Sequence, residues 1–336
     1  MKQLQTIDAD TLLSTPLPAT KFIVERLLPE GLHILAGSPK IGKSWLALWI
    51  CFQVSKGDPV WGLPTRRGSV LYLCLEDSYA RIQSRLFQIT DDAPDTLHFA
   101  NLSESIGDGL ENQITSFLSE HPNTNLIVID TLQKIRDIIP DKNSYANDYR
   151  DLSSLKNLAD HHHLAILLVH HLRKMKDDDP VNMISGTTGL SGATDSNFVL
   201  KRKDRSSPHA ELYCTGRDIE SRVLELCFQR ETHTWELAKP IESERVAVDP
   251  EFIFLSEFLK PLHTFTGTAT ELSALLKHQT GEIISPSALS KKLAKHTSGL
   301  EKSGIHVSNN RTREARQLCI TCDPRDRSDG SDGKNG

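Results

Sequence analysis

Eight consecutive residues, Gly37-Ser38-Pro39-Lys40-Ile41-Gly42-Lys43-Ser44, match G-x-x-x-x-G-K-[ST] at every fixed position. An apolar stretch, Leu32 to Ala36, precedes them, and a helix-like stretch, Trp45 to Val54, follows. A strand that passes through a glycine-containing loop into a helix directs backbone N–H groups and a helix N-terminus at one spot. That arrangement suits a polyphosphate. Gly37 and Gly42 allow the tight path, Lys43 can reach the β- and γ-phosphates, and Ser44 can ligate Mg²⁺. Ser38, Pro39, Lys40, Ile41 and Trp45 complete the expected binding segment. With both flanks present, the run predicts a nucleoside triphosphate site, with ATP and Mg²⁺ as the expected pair, rather than a plain glycine turn.

The chain has 336 residues, room for one α/β domain and a smaller one. Its net charge of −5 gives no global nucleic-acid signal, so any such signal must be local. No apolar run approaches the length of a membrane span, and Met1 to Gln5 lacks a signal-peptide core, so a soluble cytoplasmic protein is expected. Cys51, Cys74, Cys214 and Cys227 lie in apolar stretches and read as small buried residues of a reducing compartment. Cys319 and Cys322 have C-x-x-C spacing without a second pair, and read as structural.

Residues 1 to 20 show little periodicity and read as an extended N-terminal arm. Residues 21 to 239 alternate short apolar runs with helical stretches. The strand candidates Leu32–Ala36, Val70–Leu75, Leu126–Ile129, Leu164–Val169 and Phe198–Leu200 are apolar on both faces, as in a parallel sheet covered by helices. Glu211–Cys214, Val223–Arg230 and Thr234–Leu237 read as an antiparallel meander added to that sheet. Residues 240 to 250 are polar and read as a linker, 251 to 322 as a small domain, and 323 to 336 as a disordered tail.

Three further segments belong with the phosphate loop. Leu126-Ile127-Val128-Ile129-Asp130 delivers a carboxylate to the sheet edge, where Asp130 can hold the Mg²⁺ shell. Glu76 ends the strand beginning at Val70. Ligands bind outside the carboxyl ends of parallel strands, so Glu76 reaches the same edge and can orient or deprotonate an attacking water. Asp77 is then a supporting residue or a helix cap before Ala80. His170 and His171 end the strand Leu164–Val169 on that edge, where an imidazole could report the γ-phosphate to the following loop. The triplet His161-His162-His163 reads as a solvated helix end.

Together these pieces resemble the RecA-type core of P-loop ATPases, and within it the RepA-like hexameric replicative helicases of plasmids, phages and integrative elements. Leu28-Pro29-Glu30-Gly31, Pro39 to Trp45, Leu75-Glu76-Asp77-Ser78, Asp130-Thr131 and Val169 to Lys174 carry the resemblance, which covers about residues 20 to 238. It implies an ATP-hydrolysing enzyme that forms a hexameric ring, acts on DNA, and works with other replication or mobilisation proteins away from the membrane. In such rings a neighbouring subunit supplies an arginine to the γ-phosphate. The matching turn is Cys214-Thr215-Gly216-Arg217-Asp218, so Arg217 is the implied finger, with Arg202 and Lys203 as competitors. The resemblance also implies a nucleic-acid-binding loop between Lys174 and Asp195. That loop is long and glycine-rich, and it carries the acidic run Asp177-Asp178-Asp179.

In the C-terminal segment, Glu251–Lys260, Ala269–Lys277 and Ser287–His296 read as helices, and Gly304–Val307 with Arg316–Ile320 as a hairpin. Three helices and a hairpin look like a winged helix. Between Ser285 and Gln317 there are seven Lys/Arg and two Glu, a local charge of +5 that leaves the rest of the chain at −10. Lys291, Lys292 and Lys295 on the third helix, with Arg311 and Arg313 at the hairpin tip, are the expected DNA contacts. A protein-interaction winged helix with a solvated basic face is the competing reading. The expected whole is an α/β RecA-type P-loop core with a C-terminal winged helix. Two other functions stay open: a non-translocating regulatory ATPase that controls a DNA-bound assembly, and a DNA-binding adaptor in which ATP is structural.

Overall fold

Strands that are apolar on both faces need cover on both faces, and this requirement sets the architecture. The computed structural model describes residues 4, 6–136, 144–173, 177–186, 188–202, 204, 207–241, 249–311 and 316–323. They fall into two compact units, one of Thr20–Ser243 and one that joins Met1–Ala19 to Glu244–Gly336.

After α1 (Ala9–Leu13), the larger unit contains β1 (Phe22–Val24), β2 (Leu28–Pro29), β3 (Gly31–Gly37), α2 (Lys43–Lys56), β4 (Ser69–Cys74), α3 (Tyr79–Ile89) and β5 (Leu97–Ala100). It continues through α4 (Leu110–Glu120), β6 (Thr124–Asp130), α5 (Ser144–His162), β7 (Ala165–His171), α6 (Thr188–Ala193), β8 (Ser196–Lys201), β9 (His209–Gly216), β10 (Arg222–Phe228) and β11 (Trp235–Leu237). The described strands of the main sheet lie in the order β11-β10-β9-β8-β3-β7-β6-β4-β5. From β8 to β5 the neighbours run parallel, and β9, β10 and β11 extend the sheet as the expected antiparallel meander.

Alternation along each strand divides the core in two. Leu126, Val128, Leu167 and Val169 pack with Leu46, Ala47 and Ile50 of α2. Ile127, Ile129, Ile166 and Leu168 pack on the other face with Ile114 of α4 and Leu152 and Leu155 of α5. Because β3, β7, β6 and β4 are parallel and adjacent, their carboxyl ends form one edge, on which the phosphate loop, Asp130, Glu76 and His171 emerge.

The smaller unit contains α1, then α7 (Pro250–Leu259), β12 (Thr264–Gly267), α8 (Ala269–Thr280), α9 (Pro286–Lys302), β13 (Ile305–Arg311) and β14 (Arg316–Cys322). Its antiparallel sheet has the order β12-β14-β13 around a leucine-rich core. Two expectations change. The segment read as an extended arm contains α1, capped by Asp8, and groups with this unit. A strand, β12, lies between the first two helices. The tail read as disordered lies, after Asp323, outside the described residues.

His33 on β3 is fully buried, with Nε2 at 2.8 Å from the Pro29 carbonyl oxygen. Burial pushes its pKa down to about 4. The folded pKa is depressed, so the unfolded chain takes up the proton first as pH falls. Stability is therefore lost between the unfolded value near 6.5 and pH 4. The unfolding free energy should drop by about 3 kcal/mol across that window. Denaturant titrations at pH 7 and pH 4 should show this drop, and His33→Gln should flatten it.

Candidate functional site

The phosphate loop leaves β3 at Gly37 and enters α2 at Lys43. Gly42 sits at φ 105°, in the region that favours glycine, and Lys40 at φ 62°. A Cβ on Gly42 would also lie 3.0 Å from the Trp235 ring, whose Nε1 donates to the Gly42 carbonyl at 3.1 Å. The Lys43 ammonium, 6% exposed, donates to the carbonyls of Gly37 at 2.8 Å and Ser38 at 3.1 Å. Burial pushes its pKa down to about 8, against the opposing pull of Asp130 and Glu76.

β4 and β6 pair in parallel with Cys74 opposite Asp130, so the residues that follow them meet. The Leu75 N–H donates to the Asp130 carbonyl at 2.9 Å, and the Thr131 hydroxyl donates to Glu76 Oε1 at 3.2 Å. Asp130 is buried, and that burial raises its pKa. Hydrogen bonds from Ser44 and from Tyr72 (2.8 Å) favour the ionised form. The Ser44 hydroxyl and a buried carboxylate offer the hard oxygens that Mg²⁺ takes, and a cation would offset the burial of that charge. The donor set fits the metal.

The two histidines part company. His171 follows Val169 on the α2 face and lines the cleft. His170 faces the other way, buried, with Nε2 2.8 Å from the Ser185 carbonyl oxygen in the glycine-rich segment. Burial lowers its pKa, with Arg136 and Asp148 close by as an ion pair. Of the two histidines named as candidates to report the γ-phosphate, His171 lines the cleft and His170 does not, so the candidacy of His170 is corrected. Successive strand residues point to opposite faces, so one of them meets the cleft and the other the loop. Asp77 is not the cap of α3, because Ser78 is. It pairs instead with Arg81 at 2.8 Å and Arg85 at 2.5 Å.

The cleft encloses about 840 Å³. It is lined by Arg202, named from the sequence as a competitor of Arg217, and beyond the expected residues by Arg81, Arg85, Phe228 and Arg230. Arg85 lies 5.5 Å over the Trp45 ring, which also meets His233 at 4.7 Å. Arg202 lies 4.7 Å over Trp235. The strand alternation that faces Phe198 and Leu200 toward α2 extends to Arg202, a signal the sequence contained. Tyr72 carried one too, since a tyrosine inside an apolar strand needs a partner for its hydroxyl. Trp235 had none, because its contact with the loop bridges 193 positions.

Arg217 does not line this cleft. It follows β9, whose Gly216 pairs with Ser196 at the opposite end of β8, roughly 20 Å along the strand at about 3.3 Å per residue. Its guanidinium is 64% exposed and lies 3.5 Å from Asp195. Lys203 lies outside the described residues.

A family model described as an AAA domain matches residues 2–177, slightly more than half of the chain. The chain belongs to the AAA domain family. Among solved structures, an ATPase domain matches at a TM-score of 0.52 and 15% identity, covering 62% of this chain and 85% of that one. A DnaB-like replicative helicase, described with its interactions with primase, matches at a TM-score of 0.51 and 15% identity. That match covers 64% of this chain and 59% of the helicase chain. No curated protein matches. The chain thus has the RecA-type fold of a P-loop ATPase. Among the described residues, no helix is long and apolar enough to cross a membrane.

The smaller unit of the AAA domain protein engages the lysines expected to meet DNA. Lys291 pairs with Asp10 of the N-terminal segment at 2.7 Å. Lys292 pairs with Glu251, and Lys295 reaches Glu251 at 2.9 Å and Asp249 at 3.4 Å. Lys292, His296 and Lys295 push the Glu251 carboxyl down to about 2. Arg311 ends β13 with only its backbone described, and Arg313 lies outside the described residues. Cys319 and Cys322 stand three apart on β14, on opposite faces, so they cannot share one metal ion.

Proposed function

We propose that this protein is an ATP-driven helicase-like motor acting on DNA, of the RepA-like replicative type, whose ATP sites are completed between subunits of a ring. One observation carries the reading: Arg217 is exposed at the sheet edge opposite its own cleft, so it can serve only the cleft of another copy. Lys43 neutralises the β- and γ-phosphates, and Ser44 and Asp130 would hold Mg²⁺, which when bound would supply positive charge against the phosphate oxygens. Glu76, held by Thr131, orients the attacking water and takes its proton. His171 meets the γ-phosphate from the cleft wall, and His170 holds the loop at Ser185, so adjacent residues of β7 join nucleotide state to loop position. Hexameric assembly and replication or mobilisation partners are part of this proposal.

The order helix, strand, helix, helix, strand, strand supports a winged-helix reading of the smaller unit, with α9 and the β13–β14 tip toward duplex DNA. A second reading, a regulatory ATPase that does not translocate, is favoured by the carboxylate partners of Lys291, Lys292 and Lys295. Strand displacement separates the two.

Mixing tests the shared site. Arg217→Ala subunits alone should be strongly impaired but keep measurable residual turnover, and Lys43→Ala subunits alone should be inactive. Mixed, they create some interfaces with an intact loop and an intact arginine, and part of the ATPase activity should return. No recovery at any ratio, with assembly confirmed by light scattering, would count against the shared site.

A further inference from the structure

The carboxylate beside Arg217 is unusually well held. Asp195 is 6% exposed and lies immediately before β8. One oxygen, Oδ2, accepts from the Leu32 N–H at 2.9 Å and from Lys156 of α5 at 2.9 Å. Its own N–H donates to the Leu32 carbonyl at 2.7 Å. Gly31 leaves room for this approach, since a Cβ there would stand 2.3 Å from Oδ2. The other oxygen, Oδ1, lies 3.5 Å from Arg217 Nη1, and the Arg217 N–H donates to the Asp195 carbonyl at 2.8 Å. A residue held at three points, two on its carboxylate and one on its backbone, therefore grips an arginine that is otherwise exposed.

We propose that Asp195 is a positioning residue for Arg217, an inference that rests on the reading of Arg217 as the arginine given to another copy's nucleotide. An exposed ion pair alone adds little stability, typically below about 1 kcal/mol. The use of this one lies in orientation: an arginine carries five N–H donors, so Nη1 can stay on Asp195 while the rest of the fork meets phosphate oxygens. Preorganising a charged donor before the transition state raises kcat more than it tightens substrate binding. α6 ends at Ala193, two residues before Asp195, so the glycine-rich segment and the grip on Arg217 are joined through a few bonds.

Asp195→Asn keeps an oxygen for the Leu32 N–H and leaves Lys156 its second partner, Asp160. In the assembled full-length protein this variant should lower kcat for ATP by about tenfold, with KM changed less than twofold. In an Arg217→Ala background the same change should cost nothing further, because its effect passes through that arginine. Asp160→Asn, which removes the other partner of Lys156 and no contact of Asp195, serves as the structural control and should leave kcat within about twofold. If Asp195→Asn fails to fold, the charge-balanced Asp195→Asn with Lys156→Met carries the same test. A wild-type kcat for Asp195→Asn, or an equal further loss in the Arg217→Ala background, overturns the proposal. The failures are distinguishable: the mixing experiment with Arg217→Ala and Lys43→Ala fails if the shared-site reading is wrong, and succeeds if only the role of Asp195 is.

Discussion

Glu76→Gln should lower kcat for ATP hydrolysis by about 10³-fold while the nucleotide stays bound. The amide has the shape of the carboxylate and keeps an oxygen for the Thr131 hydroxyl, so the local structure should survive. It cannot accept a proton from water at neutral pH. The binding residues, Lys43, Ser44 and the loop amides, are untouched, so affinity should change little. Rapid filtration of radiolabelled ATP would show binding, and phosphate release would show turnover. Hydrolysis within a factor of about two of wild type would mean that another carboxylate serves as base. Asp77 would be a poor substitute, since Arg81 and Arg85 already engage it.

Much of the nucleotide edge was legible because each part carries its own pattern. The loop has fixed spacings, and β3, β4, β6 and β7 are mostly apolar runs that a doubly covered sheet explains. Each leads to its functional residue at the strand end or within two residues of it. What escaped depends on pairs distant in the chain. β5 and β12 are short, with polar residues between apolar ones, and only neighbouring strands make them strands. α9 runs to Lys302, past His296 where the expected helix ends, and Gly299 within it serves a contact. A Cβ on it would meet the Phe252 ring at 2.9 Å. The positive charge of the C-terminal segment was legible as a sum, but its partners were not. Asp249 lies in what read as linker, Glu251 opens α7, and Asp10 comes from the far end of the chain. Charge counted over a window says nothing about which charges are already opposed.

The second large effect concerns Lys43, and it has a pH signature. Lys43→Ala should raise the Kd for ATP by about 100-fold, the loss of a charge-assisted contact to the phosphates. The change also leaves Asp130 and Glu76 facing the phosphate charge without a cation from the loop. In the wild-type protein the lysine must be protonated to oppose a polyphosphate, yet burial has lowered its pKa to about 8. Below pH 8 the folded protein already carries the proton. Above it, binding must first draw a proton from solvent, so Kd should climb by up to about tenfold per pH unit. Titrating a fluorescent ATP analogue at pH 7, 8 and 9 measures this directly. The rise should begin near pH 8 and should vanish in Lys43→Ala, whose weak binding should be flat across the same range. A wild-type Kd that stays constant to pH 9 would mean that the ammonium keeps its proton despite its burial, and that Asp130 and Glu76 outweigh desolvation in the free protein.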